Sequence, residues 1–101
     1  MNKLIRDGKV AVLVSPSYGA GWYSWHGNEE LLYDPSIVEW LEQNELDKIK
    51  TYLELKYPNE TILGLEDLEV NWVPAGARFR IDEYDGAESL VLEKNEYWLT
   101  A

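Results

Sequence analysis

The chain has no cysteine and a single histidine. The first absence excludes a disulfide scaffold, a thiol nucleophile and a Cys-ligated zinc site. The second excludes a histidine-rich metal site. No apolar run approaches the roughly 18 residues that a membrane-crossing helix needs. The opening Met1-Asn2-Lys3-Leu4-Ile5-Arg6-Asp7-Gly8-Lys9 carries charges where a secretory leader needs an apolar stretch. Basic residues are also scarce: nine Lys and Arg stand against nineteen Asp and Glu, a net charge of −10. Residues 1–50 contribute −3 (five basic, eight acidic) and residues 51–101 contribute −7 (four basic, eleven acidic). Direct nucleic-acid binding is therefore not expected, since phosphate neutralisation needs clustered Lys and Arg. An anionic membrane surface is disfavoured for the same reason. The natural complement is a basic protein, because opposite fields accelerate encounter.

What remains is ordinary globular material. The 101 residues, 46% hydrophobic and 28% charged, are expected to form one domain over 1–101. Lys9 to Ser15 reads as a strand with Val10, Val12 and Val14 on one face and Ala11 and Leu13 on the other. Apolar residues on both faces predict a central strand covered on both sides. Pro16 ends it, and a loop with Gly19, Gly21 and Gly27 follows, with a short strand as an option at Trp22 to Trp25. Asp34-Pro35 starts a helix, Asp as N-cap and Pro in the first turn. Asn44 is placed as the cap of a second helix. Its stripe is Leu46, Ile49, Tyr52, Leu53 and Tyr57, closed by Pro58.

The second half alternates. Leu68, Val70 and Trp72 mark one strand, and Phe79 and Ile81 another. Asp85-Gly86 is a type I′ hairpin signal. It sets the rungs Tyr84–Ala87, Glu83–Glu88, Asp82–Ser89, Ile81–Leu90, Arg80–Val91, Phe79–Leu92 and Arg78–Glu93. A four-residue turn over 74–77 would set Trp72 opposite Phe79 and Val70 opposite Ile81. Asn95 marks a last turn, and Tyr97 to Thr100 a final strand. The expected fold is α+β: an antiparallel β-meander of three to five strands packed on a helical segment at about 35–57.

Three constellations bear on function. The loop Ser15-Pro16-Ser17-Tyr18-Gly19-Ala20-Gly21-Trp22-Tyr23-Ser24-Trp25-His26 follows a strand, as a phosphate cradle does. It lacks the helix start and the Gly-Lys-Ser or Gly-Lys-Thr of nucleotide sites. Its aromatics suit base stacking, a protein anchor or simply the core. Ser24 and His26 invite a triad reading, but no Gly-x-Ser-x-Gly elbow positions them. No catalytic residue, metal site or cofactor is expected. The acidic runs Glu66-Asp67-Leu68-Glu69 and Asp82-Glu83-Tyr84-Asp85-Gly86-Ala87-Glu88 do not fit an EF-hand. The directly opposed Glu83 and Glu88 invite relief by solvent, a partner's basic group or a metal.

Two stretches together resemble a family of small acidic proteins of phages and prophages. One is Lys9-Val10-Ala11-Val12-Leu13-Val14-Ser15-Pro16 running into Gly19-Ala20-Gly21-Trp22. The other is Trp72-Val73-Pro74, then Phe79-Arg80-Ile81, then Glu83-Tyr84-Asp85-Gly86-Ala87-Glu88-Ser89. The resemblance carries no catalytic residues across. It implies an accessory protein in a bacterial host cytoplasm, and by analogy of class an inhibitor of host defence such as an anti-CRISPR protein. The leading expectation is a non-enzymatic inhibitor whose acidic surface mimics nucleic acid in the basic groove of a nucleic-acid-handling host protein. Its contacts would be Glu66, Asp67, Glu69, Asp82, Glu83, Asp85 and Glu88, with Trp22 and Trp25 as anchors. The alternative is a small-molecule binder, a sponge for a nucleotide signal, using Tyr18, Gly19, Gly21, Trp22, Tyr23, Arg78 and Arg80. A homodimer stays open.

Overall fold

The computed structural model describes residues 2–19, 21–60, 62 and 64–93. The expected turn at Asn95 and strand at 97–100 lie outside the described residues. The architecture is α+β. Strands β1 (Ile5–Arg6), β2 (Lys9–Val14) and β3 (Glu69–Pro74) form an antiparallel sheet in the order β1-β2-β3. Strands β4 (Phe79–Tyr84) and β5 (Ala87–Leu92) form a separate antiparallel pair. Between β2 and β3 lie helices α1 (Tyr23–His26), α2 (Glu29–Tyr33), α3 (Pro35–Glu42) and α4 (Leu46–Lys56), then a 3-10 turn at Leu65–Asp67. Among the described residues, no helix is long and apolar enough to cross a membrane.

β2 organises the core because it is apolar on both faces. Ala11, Val12, Leu13 and Val14 are all buried. Ala11 and Leu13 pack with Trp22, Leu31, Ile37, Val38, Ile49 and Leu53, the inner faces of the helices. Val12 and Val14 pack with Leu32 and Val73, against which Phe79, Ile81 and Leu90 of the hairpin rest. Alternation along one strand thus serves two clusters, each fully buried Val or Leu contributing roughly 1.5–3 kcal/mol.

The helical segment follows its sequence signals with one exception. Asp34 Oδ1 accepts from the amides of Ser36 (2.9 Å) and Ile37 (3.4 Å), capping α3 with Pro35 in its first turn. Its other oxygen accepts from the Tyr52 hydroxyl, whose oxygen accepts from Lys56 Nζ at 2.9 Å, fastening α3 to α4. The bond to Tyr52 holds the Lys56 ammonium above the ordinary lysine range. Asn44 does not cap α4. It sits at φ 59° with its amide on Leu41 O, finishing α3, and Glu45 takes the cap position. Asn tolerates the left-handed region that this chain reversal needs.

Two further expectations are corrected. Residues 22–25 do not form a strand: α1 covers 23–26 and ends at Gly27, φ 66°, whose amide donates to Tyr23 O at 2.7 Å. The 74–77 turn does close, Ala77 N to Pro74 O at 2.9 Å, but it does not make a hairpin. β3 pairs instead with β2, Val10 opposite Val73 and Leu13 opposite Val70. That pairing gives β3 six rungs on the most apolar strand of the chain. It frees Phe79 and Ile81 for the second cluster, so the meander is interrupted between β3 and β4.

Candidate functional site

The hairpin has the register that its sequence sets, from Tyr84–Ala87 through Glu83–Glu88 to Phe79–Leu92. Asp85 and Gly86 at the tip both have positive φ, 51° and 85°, as a type I′ turn requires. Arg78 and Glu93 continue the ladder, Glu93 N to Arg78 O at 2.8 Å, with their side chains 3.1 Å apart.

The glycine-aromatic loop is tied to this hairpin. Glu88 N donates to Ser15 O and Gly19 N to Asp85 O, each at 2.9 Å. The Glu88 side chain, only 3% exposed, turns inward. Its Oε1 accepts from Ser15 N at 2.9 Å, and its Oε2 accepts from both Ser24 N and Ser24 Oγ at 2.7 Å. A carboxylate held by such donors is stabilised by charge-assisted bonds without a cation beside it. Gly21 is buried at the crossing. A Cβ there would lie 2.1 Å from Ser24 Oγ and 3.2 Å from Glu88 Oε2, so Ser24 would have to leave the carboxylate. Trp22 is fully buried in the main cluster, its Nε1 donating to Leu31 O at 3.0 Å.

Two expectations therefore change. Trp22 is core and offers no anchor to a partner. Glu88 is a buried clamp between loop and hairpin, not a surface contact. Nor do the opposed glutamates form an open cation site, because Glu88 is fully engaged and Glu83 Oε1 accepts from Gly86 N across the turn. Residue parity carries only half the signal for Glu88: it shares a face with Leu90, which rests on the second cluster, but Glu83 shares that face too and is exposed. Trp22 lies in an irregular segment where no periodicity could reveal its burial.

Outside the clamp lies a depression of about 340 Å³ lined by Gly19, Gly21, Ser24, Trp25, Glu83, Asp85 and Gly86. Trp25 is 57% exposed. Tyr18 (72%) and Tyr84 (76%) stand edge-on to each other nearby on the same loop and hairpin, ring centres 6.4 Å apart. The structure thus joins part of the loop constellation and part of the acidic constellation in one place. Asp82 is exposed but held by Arg80, Nε to Oδ1 at 2.8 Å. Glu66, Asp67 and Glu69 are exposed on the 3-10 turn and the start of β3, Glu66 lying 3.7 Å from Lys50 Nζ. They do not line the depression.

The alternative ligand set is divided. Gly19 and Gly21 line the depression, and Tyr18 stands on the same loop. Tyr23, Arg78 and Arg80 meet instead in a groove of about 500 Å³ with Glu29, Leu32, Tyr33, Phe79 and Ile81. Arg78 is held by Glu93 and Arg80 by Asp82.

His26 is oriented by its neighbours. Its Nδ1 accepts from Asn28 N at 2.9 Å, so Nε2 carries the proton of the neutral ring. The ring stands edge-on to Trp22, centres 5.1 Å apart. Burial pushes its pKa below the ordinary histidine value. The Ser24 hydroxyl is directed to Glu88 rather than to this imidazole.

No family model, no curated protein and no solved structure matches the chain.

Proposed function

We propose that this chain is a non-enzymatic inhibitor or interaction protein whose acidic surface engages a basic groove on a partner. The observation that carries the reading is the depression at the hairpin tip. There the exposed Glu83 and Asp85 stand beside the half-exposed Trp25, on a backbone held by the buried Glu88 clamp. Carboxylates attract and orient a basic segment over a distance, and an exposed indole adds contact area and a face for Lys or Arg. Anchors of this kind dominate binding energy when they are rigidly presented. With a net charge of −10 and the resemblance to phage accessory proteins, the partner proposed is a nucleic-acid-handling defence protein in a bacterial host cytoplasm. The acidic surface would stand in for a phosphate backbone. The two arginines of the neighbouring groove are already paired with carboxylates, which favours a protein partner over a nucleotide ligand.

The test is affinity capture from phage-infected bacterial lysate, with wild type beside Trp25→Ala and Glu83→Lys. A basic nucleic-acid-handling protein recovered at low salt, diminished at high salt and lost with either variant supports the reading. Recovery indifferent to salt and to both variants contradicts it, and a nucleotide released on denaturing the purified protein would favour the ligand-binding alternative.

A further inference from the structure

The outer edge of β4 is unpaired among the described residues. In a two-residue hairpin, the residues flanking the turn form a closely bonded pair, and the pattern then alternates. Tyr84, Asp82, Arg80 and Arg78 therefore direct their backbone groups toward β5. Two bonds fix this phase: Glu93 N donates to Arg78 O within the ladder, and Glu88 N donates away from β4, to Ser15 O. It follows that the N–H and C=O groups of Phe79, Ile81 and Glu83 point to the side of β4 away from β5. Among the described residues, that side pairs with no strand. The groove of about 500 Å³ runs along it, between residues 77–81 and α2.

We propose that two copies of this chain associate through antiparallel β4–β4 pairing about a twofold axis at Ile81. This register is the one that the outward-pointing groups can satisfy. Ile81 bonds its counterpart, and Phe79 bonds Glu83 of the second copy in both directions. It also sets Arg80 opposite Asp82 of the second copy, twice, in the non-bonded rungs where side chains come closest. Arg80 and Asp82 are both exposed and already turn toward each other within one strand, so the dimer would create an alternating ladder of charges. An isologous contact needs such self-complementarity.

A comparison with the outer edge of β3 supports the choice of β4. β3 carries a single charge, Glu69, and ends on Pro74, which has no N–H to donate. Self-pairing of β3 gains no ion pair and loses a bond at its end. β4 has no proline, and its two signs of charge are spaced for reciprocal pairing about Ile81.

Sedimentation equilibrium of the full chain, across the micromolar range up to about 1 mM, reads the association. Arg80→Asp and Asp82→Arg are exposed changes that each make both reciprocal rungs like-charged, and each should weaken the dimer by about tenfold. An equimolar mixture of the two variants should recover wild-type affinity, because the carboxylates at both positions of the first variant would then face the guanidinium groups at both positions of the second. Amide exchange should slow at Phe79, Ile81 and Glu83 as concentration rises, and not along β3. A chain monomeric at every concentration overturns the proposal. So do full protection of those amides in dilute monomer, which means that the edge is covered from within the chain, a dimer that both variants leave intact, and a mixture that stays weak.

Discussion

Glu83 and Glu88 occupy the same rung of one hairpin and have opposite fates. Glu83 is exposed at the tip, while Glu88 is buried and held by Ser15 and Ser24. Trp22 and Trp25 repeat the contrast three residues apart, one fully buried and one 57% exposed. Two like charges set face to face would cost up to about 1 kcal/mol. Here the backbone and hydroxyl donors of Ser15 and Ser24 take up one of them, and the other stays exposed with one oxygen on Gly86 N. The inner half of the site is therefore structural and the outer half is available for recognition. Chemistry alone does not assign a residue to either half. Nor does the strand face, which the two glutamates share: the donors of Ser15 and Ser24 meet Glu88 and not Glu83.

Substitutions that break this division should differ first in stability. Trp22→Ala removes the largest buried side chain and its bond to Leu31, and should cost about 3–5 kcal/mol in chemical denaturation. Glu88→Gln replaces one acceptor by a donor facing the donors of Ser15 or Ser24, leaving a buried clash worth about 1–3 kcal/mol. Gly21→Ala should act on the same clamp, since its methyl group displaces Ser24 Oγ from Glu88. If these clamp variants kept wild-type stability, the inner half would not be structural.

A smaller, pH-dependent effect is expected at His26. Its folded pKa lies below 6.5, so the unfolded chain takes up the proton first as pH falls. Stability should therefore fall from about pH 6.5 downward until the folded pKa is reached, and stay level above that window. Measured as denaturation midpoint against pH, His26→Gln should remove this component. The outer half should move stability least. Trp25→Ala should stay within about 0.5 kcal/mol of wild type, and Glu83→Lys, which gives up the exposed bond from Gly86 N, within about 1 kcal/mol. Their effect belongs to binding: Glu83→Lys should slow association most at low salt, and Trp25→Ala should speed dissociation with little salt dependence.

Much of this is legible in the sequence. Alternation and the Asp-Gly pair set the hairpin register, and Asp34-Pro35 sets the start of α3. Apolar residues on both faces mark β2 as central. The β3 partner is not legible, because the local 74–77 turn fits a hairpin equally well and the choice depends on the distant edge of β2. The loop constellation stands out as a region, but its inner and outer residues are not separated by sequence. The fold of 15–26 is set by contacts with residues 85–88, far along the chain, rather than by any local period. The burial of Glu88 is only half implied by its shared face with Leu90, because Glu83 shares that face and is exposed. It is obscured by the ordinary preference of carboxylates for solvent.

The division of the site can be tested without knowing the partner. A short arginine-rich peptide, titrated into isotope-labelled protein at low and high salt, would report its contacts residue by residue through NMR shifts. The expected result is a set of shifts centred on the Trp25 indole and the amides of Glu83, Asp85 and Gly86, lost in high salt and in Glu83→Lys. Shifts centred instead on Glu66, Asp67 and Glu69, with the hairpin tip silent, would contradict it.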